Sequence, residues 1–225
     1  MPVTTVLEES KQQGHFYVPQ FEVKIAGVGL PRDVLRDVTQ LTYEDGIKKI
    51  DSFTLTVNNW DADRRDFKYV GAETPETLRG STSETLRYRL FEPCHKVVEV
   101  HMGYVGDLRL MMHGMFTTME PNFPSSGPPT LTVRGLNVLH WARPKQYTTT
   151  WTDKRDSEIA ENIATLKDNN KQRFPLPIVT NPNAKAKEPQ LPYVAQKNEY
   201  DLDFLLARAR QRGYVVYVRG GNPEG

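Results

Sequence analysis

The chain has 225 residues, of which 38% are hydrophobic, so it can form one large or two small folded domains with ordinary cores. Its 29 Lys and Arg nearly balance its 28 Asp and Glu, which argues against nucleic acid or an anionic membrane as a partner, and no window approaches the roughly 20 apolar residues of a membrane span. The single cysteine excludes an intrachain disulfide, and no charged leader precedes an apolar stretch at residues 1–17, so we expect folding in a cytoplasm.

The first region shows hydrophobic alternation with a period of two, the pattern of half-buried β-strands. Strands are predicted at 21–25 and 53–57, where apolar residues alternate with Glu, Lys, Ser and Thr. Gly27 and Gly29 predict a turn and not a phosphate-binding loop, because a strand-like segment at 34–42 follows them in place of a helix. Short strands without a long helix between them favour an antiparallel barrel or sandwich.

A hairpin is predicted from strands at 98–102 and 108–119, joined by a turn at Gly106 and Asp107. Both faces of the second strand carry apolar side chains: Leu108, Leu110, Met112 and Phe116 on one, Met111, Met115 and Met119 on the other. We expect this strand to be covered on both sides, and another subunit is a candidate for one of the two covers.

Two polar segments divide the chain. Residues 61–86 are predicted to form a surface loop, because charged residues, Thr and Ser dominate there. Residues 121–129 contain four prolines beside Ser-Ser-Gly, and proline cannot donate to a strand ladder. We place the domain junction in this second segment, between modules at 15–124 and 125–225.

The second region mixes strand and helix patterns. A strand is predicted from Leu131, and a helix near 156–168 with Asp156 or Ser157 as its cap, ending near the Asn-Asn pair that follows. The stripe of this helix consists of Ile159, Ile163 and Leu166. Five prolines at 174–192 then predict an extended connector.

Residues 192–218 predict a strand, a helix over 201–212 and a second strand at 214–218. Asp201 is placed to accept hydrogen bonds from the free amides of the first turn, and Gly213 to supply the left-handed residue that ends the helix. The buried stripe consists of Leu202, Leu205, Leu206 and Ala209, and the cations expected at the last carbonyls are Arg208, Arg210 and Arg212. Phe204 projects to the opposite side, and we expect its contact either within one subunit or with a neighbouring one.

Several residues could in principle carry chemistry. Cys94 and His95 are adjacent, so on a strand they point to opposite faces and cannot form a nucleophile–base pair. His101 and His113 could meet across the hairpin and, with His95, suggest a metal site, but no ligand spacing supports one. The motif at Asp61 lacks the glycine and glutamate of a calcium loop, and the three tryptophans are too scattered to predict a stacking platform. We therefore assign no catalytic, cofactor-binding or metal-binding residue and predict that the protein is not an enzyme.

Two segments resemble motifs of VgrG spike proteins and phage late control protein D, the hub proteins of contractile injection machines. The first is Gly103-Tyr104-x-Gly106-Asp107-Leu108 followed by Met112-x-Gly114, which is similar to a hairpin of that family. The second contains Gln196, Asp201-Leu202-Asp203-Phe204-Leu205, Gly213 and Tyr214, which is similar to the family's strand, acidic-capped helix and aromatic strand. The two lie in the family's order, and nearly all of residues 20–219 can be placed on its pattern.

The resemblance implies a β-rich fold with inserted helices, built as two related antiparallel β-barrel modules of the tail-hub type, the second incomplete in this chain. It implies a homotrimeric ring with pseudo-sixfold symmetry that adapts a sixfold inner tube to a threefold spike in a phage tail, type VI secretion system or extracellular injection particle. The implied partners are further copies of the chain, the spike or needle protein, the tube protein or its initiator, baseplate wedge proteins and effector cargo, with no nucleic acid and no cofactor. Assembly is expected in the bacterial cytoplasm, followed by incorporation into a tail-like particle.

VgrG proteins continue into an oligosaccharide-binding-fold domain and a β-helix needle, and neither is visible in this sequence. The chain is therefore either a hub whose needle is a separate protein or a fragment of a longer hub. Two other functions stay open: a tail-associated carbohydrate- or receptor-binding β module, and a peptidoglycan hydrolase. The sequence lacks a carboxylate pair in a recognisable context for the hydrolase.

Overall fold

The computed structural model describes residues 18–47, 49–70, 89–93 and 96–218. The chain divides into two compact units, which are described separately. Unit 1 comprises Met1–Glu44, Asp51–Asn137 and Gly220–Gly225, and unit 2 comprises Asp45–Ile50 and Val138–Arg219.

Unit 1 contains a seven-stranded antiparallel sheet with the strand order β2-β1-β7-β8-β9-β4-β3. Its strands are β1 (Pro19–Ile25), β2 (Val28–Gly29), β3 (Val38–Glu44), β4 (Ser52–Asn58), β7 (Val97–Tyr104), β8 (Asp107–Asn122) and β9 (Thr130–Asn137), and a separate short hairpin is formed by β5 (Trp60–Asp61) and β6 (Asp66–Phe67). The strands confirm the predicted β-rich fold. Within the described ranges the sheet has open edges at β2 and β3, so no closed barrel is formed there.

The apolar residues of the predicted alternation form the buried face of this sheet. Phe53, Leu55 and Val57 of β4 point inward, and the Phe53 ring lies 5.6 Å from that of Phe116 on β8. The other strands add apolar residues to the same core, among them Val23, Ile25, Val98, Val100, Met112, Leu131 and Val133. The predicted strand at Leu131 is thus present as β9, but it pairs with β4 and β8, so unit 1 extends to Asn137.

The strand-like segment predicted at 34–42 is partly helical. Helix α1 (Arg32–Asp37) comes first, and β3 begins only at Val38. Pro31 precedes the helix, where its missing N–H costs nothing, and Val34 buries its side chain in the core of unit 1. Six residues that bury one apolar side chain leave little periodicity to distinguish a short helix from a strand.

Part of the predicted surface loop 61–86 belongs to the core. Tyr69 is 1% exposed, and its hydroxyl donates to Asp37 Oδ2 at 2.7 Å. The buried side chain of Asn59 accepts from the backbone amides of Tyr69 and Val70. The loop prediction is wrong at this point, and residues 71–86 lie outside the described residues.

Unit 2 packs helices beside a two-stranded antiparallel ribbon. After a short 3₁₀ helix (Val138–Ala142), its elements are β10 (Gln146–Lys154), α2 (Asp156–Thr165), β11 (Lys167–Asp168), β12 (Lys171–Gln172), α3 (Pro182–Lys187), β13 (Leu191–Tyr200) and α4 (Asp201–Arg212). The ribbon consists of β10 and β13. Both long helices were predicted. No helix in the described part of the chain is long and apolar enough to cross a membrane.

Helix α2 ends earlier than predicted because a tight hairpin follows it. Asn169 and Asn170 have φ angles of 48° and 63°, as in the type I′ turn that joins two antiparallel strands, here β11 and β12. Ile159 and Ile163 are buried as predicted. The proline-rich connector also contains α3, whose first turn is capped by the side chain of Asn181.

Helix α4 has the predicted bounds and ends at Gly213, which has a φ of 72°. Leu202, Leu205 and Leu206 are buried. Phe204 is 3% exposed, so its contact lies within the subunit. The strand predicted at 214–218 is absent, because these residues pair with no strand of the described chain.

Candidate functional site

The hairpin of β7 and β8 carries the first motif, and its glycines lie where the backbone leaves no room for a side chain. Gly106 forms the turn with a φ of 86°. A Cβ atom at Gly103 would overlap the carbonyl of Asp107, and one at Gly114 would overlap the carbonyl oxygen of Leu136 on β9. The motif therefore specifies close strand packing, which is a geometric and not a chemical requirement.

Strand β8 buries one face and leaves part of the other accessible. Met112 and Phe116 are each 2% exposed. Leu110 was predicted on the face of Met112, but a register shift places it opposite His101 instead. Leu110 and Met111 are 38% and 41% exposed and are called the hairpin patch below. The described residues provide no second cover for this patch, and a cover by another subunit stays a prediction.

The second motif forms a buried polar network where β13 meets α4. Arg173 donates to both carboxylate oxygens of Asp201, with N···O distances of 2.5 and 3.1 Å. Gln196 is 0% exposed, and its Nε2 donates to Asp201 Oδ1 at 2.8 Å and to the Glu199 carbonyl at 3.1 Å. The predicted capping role of Asp201 is wrong: the N-cap residue is Tyr200, which makes no side-chain cap hydrogen bond, and the Asp201 carboxylate binds Arg173 and Gln196 instead.

Tyr147 extends this network to the surface. The Arg173 guanidinium lies 3.7 Å from the centre of the Tyr147 ring, and the Tyr147 hydroxyl donates to Asp168 Oδ2 at 3.3 Å. Burial, followed by the negative charge of Asp168, raises the pKa of Tyr147, so its phenol stays neutral at physiological pH. These contacts connect β10, β11, the residue after β12 and the start of α4.

Two further buried carboxylates position α2. Asp156 accepts from Arg208 Nε at 2.6 Å and from Arg212 Nε at 2.7 Å. The sequence placed these two arginines at the last carbonyls of α4, but in the structure they bind α2. Glu188 accepts from the backbone amide and hydroxyl of Ser157 at 2.9 and 2.8 Å. Glu188 thus satisfies a free amide of the first turn of α2, where Asp156 or Ser157 was predicted to act as the cap.

The histidines considered for metal binding lie apart in the strand register. His101 pairs with Leu110, and His113 pairs with Glu99. His101 Nε2 lies 3.8 Å from Glu99 Oε2. In the described ranges, no group of three or more His, Cys, Asp or Glu side chains could hold a metal ion.

Two other candidates from the sequence have different outcomes. Cys94 and His95 lie outside the described residues. Asp61 Oδ1 accepts from the backbone amides of Asp63 and Arg64 at 3.0 and 3.1 Å, and the bond from Arg64 lowers the pKa of Asp61. This carboxylate stabilises the turn of its own hairpin.

Trp60 belongs to an aromatic cluster that the sequence did not predict. Its ring lies 5.6 Å from that of Phe67, which lies 5.3 Å from that of Phe123. A shallow cavity of about 420 Å³ beside them is lined by Trp60, Phe67, Gly127, Pro128 and Pro129. None of these lining residues is ionisable, so the cavity offers apolar contact and no acid–base group. The cluster was missed because the β5–β6 hairpin that pairs Trp60 with Phe67 was not predicted, and because Phe123 lies far away in sequence.

No protein-family model and no curated protein matches the sequence. Among solved structures, the chain superposes on the 43 kDa tail protein of prophage MuSo2 from Shewanella oneidensis with a TM-score of 0.54 and 13% identity. The match covers 88% of this chain and 50% of that protein, so the chain spans about half the length of its structural neighbour. The chain therefore shares its fold with this part of a phage tail protein, which agrees with the likeness that the two motifs predicted.

Two weaker matches are also recorded. A type VI secretion component of E. coli gives a TM-score of 0.48 at 16% identity, with 83% of this chain and 42% of that chain covered. The Francisella PdpA–VgrG complex gives a TM-score of 0.47 at 10% identity, with coverages of 93% and 31%. At these scores neither likeness carries an argument.

Proposed function

We propose, on the premise of the phage tail-protein fold, that this protein is a structural hub of a contractile injection machine. In this proposal three copies form a ring with pseudo-sixfold symmetry that adapts the sixfold inner tube to the threefold spike. The observation that carries the proposal is the superposition on a tail protein over 88% of the chain. The presence of both hub motifs in their expected order supports it.

The arrangement of polar groups fits a role in which shape matters more than reactivity. The buried carboxylates of Asp156, Glu188 and Asp201 hold helices in place through arginine, amide and hydroxyl donors. These donors occupy the carboxylate oxygens, so the three groups position helices instead of facing a substrate. We therefore propose that the protein acts without catalysis.

The hub proposal also includes an assignment of modules and partners. Residues 15–124 and 125–225 are proposed to be the two tail-hub modules, the second incomplete, although the chain passes from unit 1 to unit 2 at Asn137 and Val138. The proposed partners are the spike or needle protein, the tube protein or its initiator, wedge proteins and effector cargo. Assembly is proposed to take place in the bacterial cytoplasm.

The hairpin patch is a suitable contact for a neighbouring copy. Leu110 and Met111 keep part of their apolar surface in water, and burial of such surface stabilises association by about 25 cal/mol per Å² before the costs of binding. Strand β8 was expected to have two covers, and in the ring a second copy supplies the missing one. The patch then becomes a point at which assembly can be disrupted without disturbing the core.

Native mass spectrometry of the full chain, alone and mixed with the spike and tube proteins of the same particle, tests the proposal. We expect three copies per complex. Met111→Asp should reduce the trimer to monomer with unchanged melting, because a charge would be buried at the subunit contact. The matched control is Val179→Asp, which places the same charge on a side chain that is 92% exposed and should leave the trimer intact.

The alternatives give distinct results. A stable monomer that assembles with neither spike nor tube protein would contradict the hub. A trimer that both variants leave intact would retain the hub and remove the hairpin patch from its interface.

A further inference from the structure

Charge is divided unevenly between the two units, although the chain as a whole is nearly neutral. Unit 1 holds 13 Lys and Arg against 18 Asp and Glu, a difference of −5. Unit 2 holds 16 Lys and Arg against 10 Asp and Glu, a difference of +6. Two copies therefore attract each other when unit 1 of one approaches unit 2 of the other, and they repel when like units meet.

Within unit 2, three lysines lie on or beside the β11–β12 hairpin. Lys145 Nζ lies 3.0 Å from Asp168 Oδ2, and Asp168 is the register partner of Lys171 on the opposite strand. Lys167 precedes Asp168 on β11 and pairs with Gln172, so its side chain points to the opposite face of the hairpin from Asp168 and Lys171. We call Lys145, Lys167 and Lys171 the basic hairpin.

Of the three lysines, Lys145 is paired with an acid, Asp168. The bond to Asp168 raises the pKa of Lys145 and holds the pKa of Asp168 below its usual value, so both groups are charged near neutral pH. Lys167 and Lys171 are exposed and have no acidic partner among the described residues. The two asparagines of the type I′ turn fix the hairpin backbone, so the lysines extend from a defined support.

We infer that, in the self-assembly proposed above, the basic hairpin of one copy docks against carboxylates of unit 1 of the next copy. This inference rests on the proposed hub function and adds to it the chemistry of the contact. Because the two surfaces differ, the contact is heterologous, and a heterologous contact that closes on itself generates a ring. A symmetric contact between two copies of unit 2 would bring two basic surfaces together and is disfavoured.

Crosslinking of the full chain tests this contact directly. A mixture of unlabelled and ¹⁵N-labelled protein is treated with a carbodiimide, which joins lysine to carboxylate without a spacer. We expect mixed-isotope peptides that connect Lys167 or Lys171 to Asp or Glu of unit 1. Raising NaCl from about 0.1 M to about 1 M shortens the Debye length from about 10 Å to about 3 Å and should dissociate the complex.

Charge-reversal variants test whether Lys167 and Lys171 form the contact between copies. The double variant Lys167→Glu/Lys171→Glu should raise the dissociation constant at least about tenfold, because each reversed charge turns an attraction into a repulsion. The matched control Lys154→Glu/Lys187→Glu makes the same change in net charge at other exposed lysines of unit 2. It should alter the dissociation constant by less than about threefold, because it leaves the contact itself unchanged.

Failure of the inference is distinguishable from failure of the hub proposal. If copies assemble but crosslinks join like units, or if hairpin and control variants shift the dissociation constant equally, the inference is overturned and the hub stands. If the chain does not associate at any salt concentration and binds neither spike nor tube protein, both are overturned.

Discussion

Arg173 and Asp201 form an ion pair whose side chains are only 8% and 1% exposed. Removal of two charges from water costs several kcal/mol, and the paired geometry must offset that cost. The two-point contact between Arg173 and Asp201, with a further hydrogen bond from Gln196, provides such a geometry. The loss of one partner should therefore be worse than the loss of both.

We expect Arg173→Met to lower the free energy of unfolding by about 3–5 kcal/mol, because Asp201 would be left buried and unpaired. Urea denaturation measures the change. The matched control is Arg109→Met, which removes an exposed pair with Asp107 and should cost less than about 1 kcal/mol. The double variant Arg173→Met/Asp201→Leu should recover part of the loss, and equal destabilisation by Arg173→Met and the control would contradict the buried-pair explanation.

At the residue scale, the sequence did not predict the contacts of Asp201. An aspartate at the start of a helix usually caps it, so Asp201 was assigned that role. Its actual partner, Arg173, lies 28 residues away, immediately before the segment that was predicted to be an extended connector. Local spacing predicts interactions along one helix or strand, but it carries no information about a partner that tertiary folding brings in.

At the scale of elements, the contact between β8 and β9 depends on glycine. A Cβ atom at Gly135 would overlap the Phe53 ring and lie 2.6 Å from the carbonyl oxygen of Met115. Both neighbours belong to the sheet of unit 1, and the Phe53 ring also contacts Phe116. Where these strands approach closely, neither the Phe53 ring nor the Met115 backbone has room to move away from an added Cβ atom.

Gly135→Ala should therefore cost about 1–3 kcal/mol of stability, since overpacking forces the ring or the strand to move. Thermal melting monitored by circular dichroism gives the result. Gly29→Ala is the control, because its Cβ would meet only Glu22 Oε1 at 3.5 Å, an ordinary contact. A melting temperature equal to that of the wild type in both variants would show that the strands can separate without cost.

The elements themselves were predicted with uneven success, for physical reasons. Helix α4 was predicted because a four-residue apolar stripe and a terminal glycine are local signals. The strand at 214–218 was not formed, although Val216 and Val218 are half-buried while Val215 and Tyr217 are exposed. Alternation predicts which faces are apolar, but a strand also needs a partner, and the sequence of one strand does not name it.

At the scale of the whole molecule, the order of the two motifs predicted the tail-protein fold better than any single element did. Most of the core residues of unit 1 also followed from alternation. The proline-rich segment that was predicted to be a domain junction connects β8 and β9, because such a segment is an equally good signal for a hairpin connection. Charge counted over the whole chain hid the opposite excesses of the two units.

Acid sensitivity is a property to which both units contribute. In the described part of the chain, the pKa is lowered for three carboxyl groups: Asp61 in unit 1, and Glu161 and Asp168 in unit 2. Asp61 accepts a backbone hydrogen bond from Arg64 as the largest cause, and the two others accept side-chain hydrogen bonds first of all from lysine. The folded protein therefore releases these protons more readily than the unfolded chain does.

A lowered pKa contributes stability that is complete above the unfolded value, 3.8 for Asp and 4.5 for Glu, and is lost as the pH falls through the folded value. We expect a melting temperature that changes little from neutrality to pH about 5 and then decreases below pH about 4.5. Glu161 binds Lys185 at 2.6 Å, so Glu161→Gln should make the decrease shallower, Lys185→Met should do the same, and the double variant should add nothing further. A decrease that is equally steep in all four proteins would show that this pair does not contribute to the acid sensitivity.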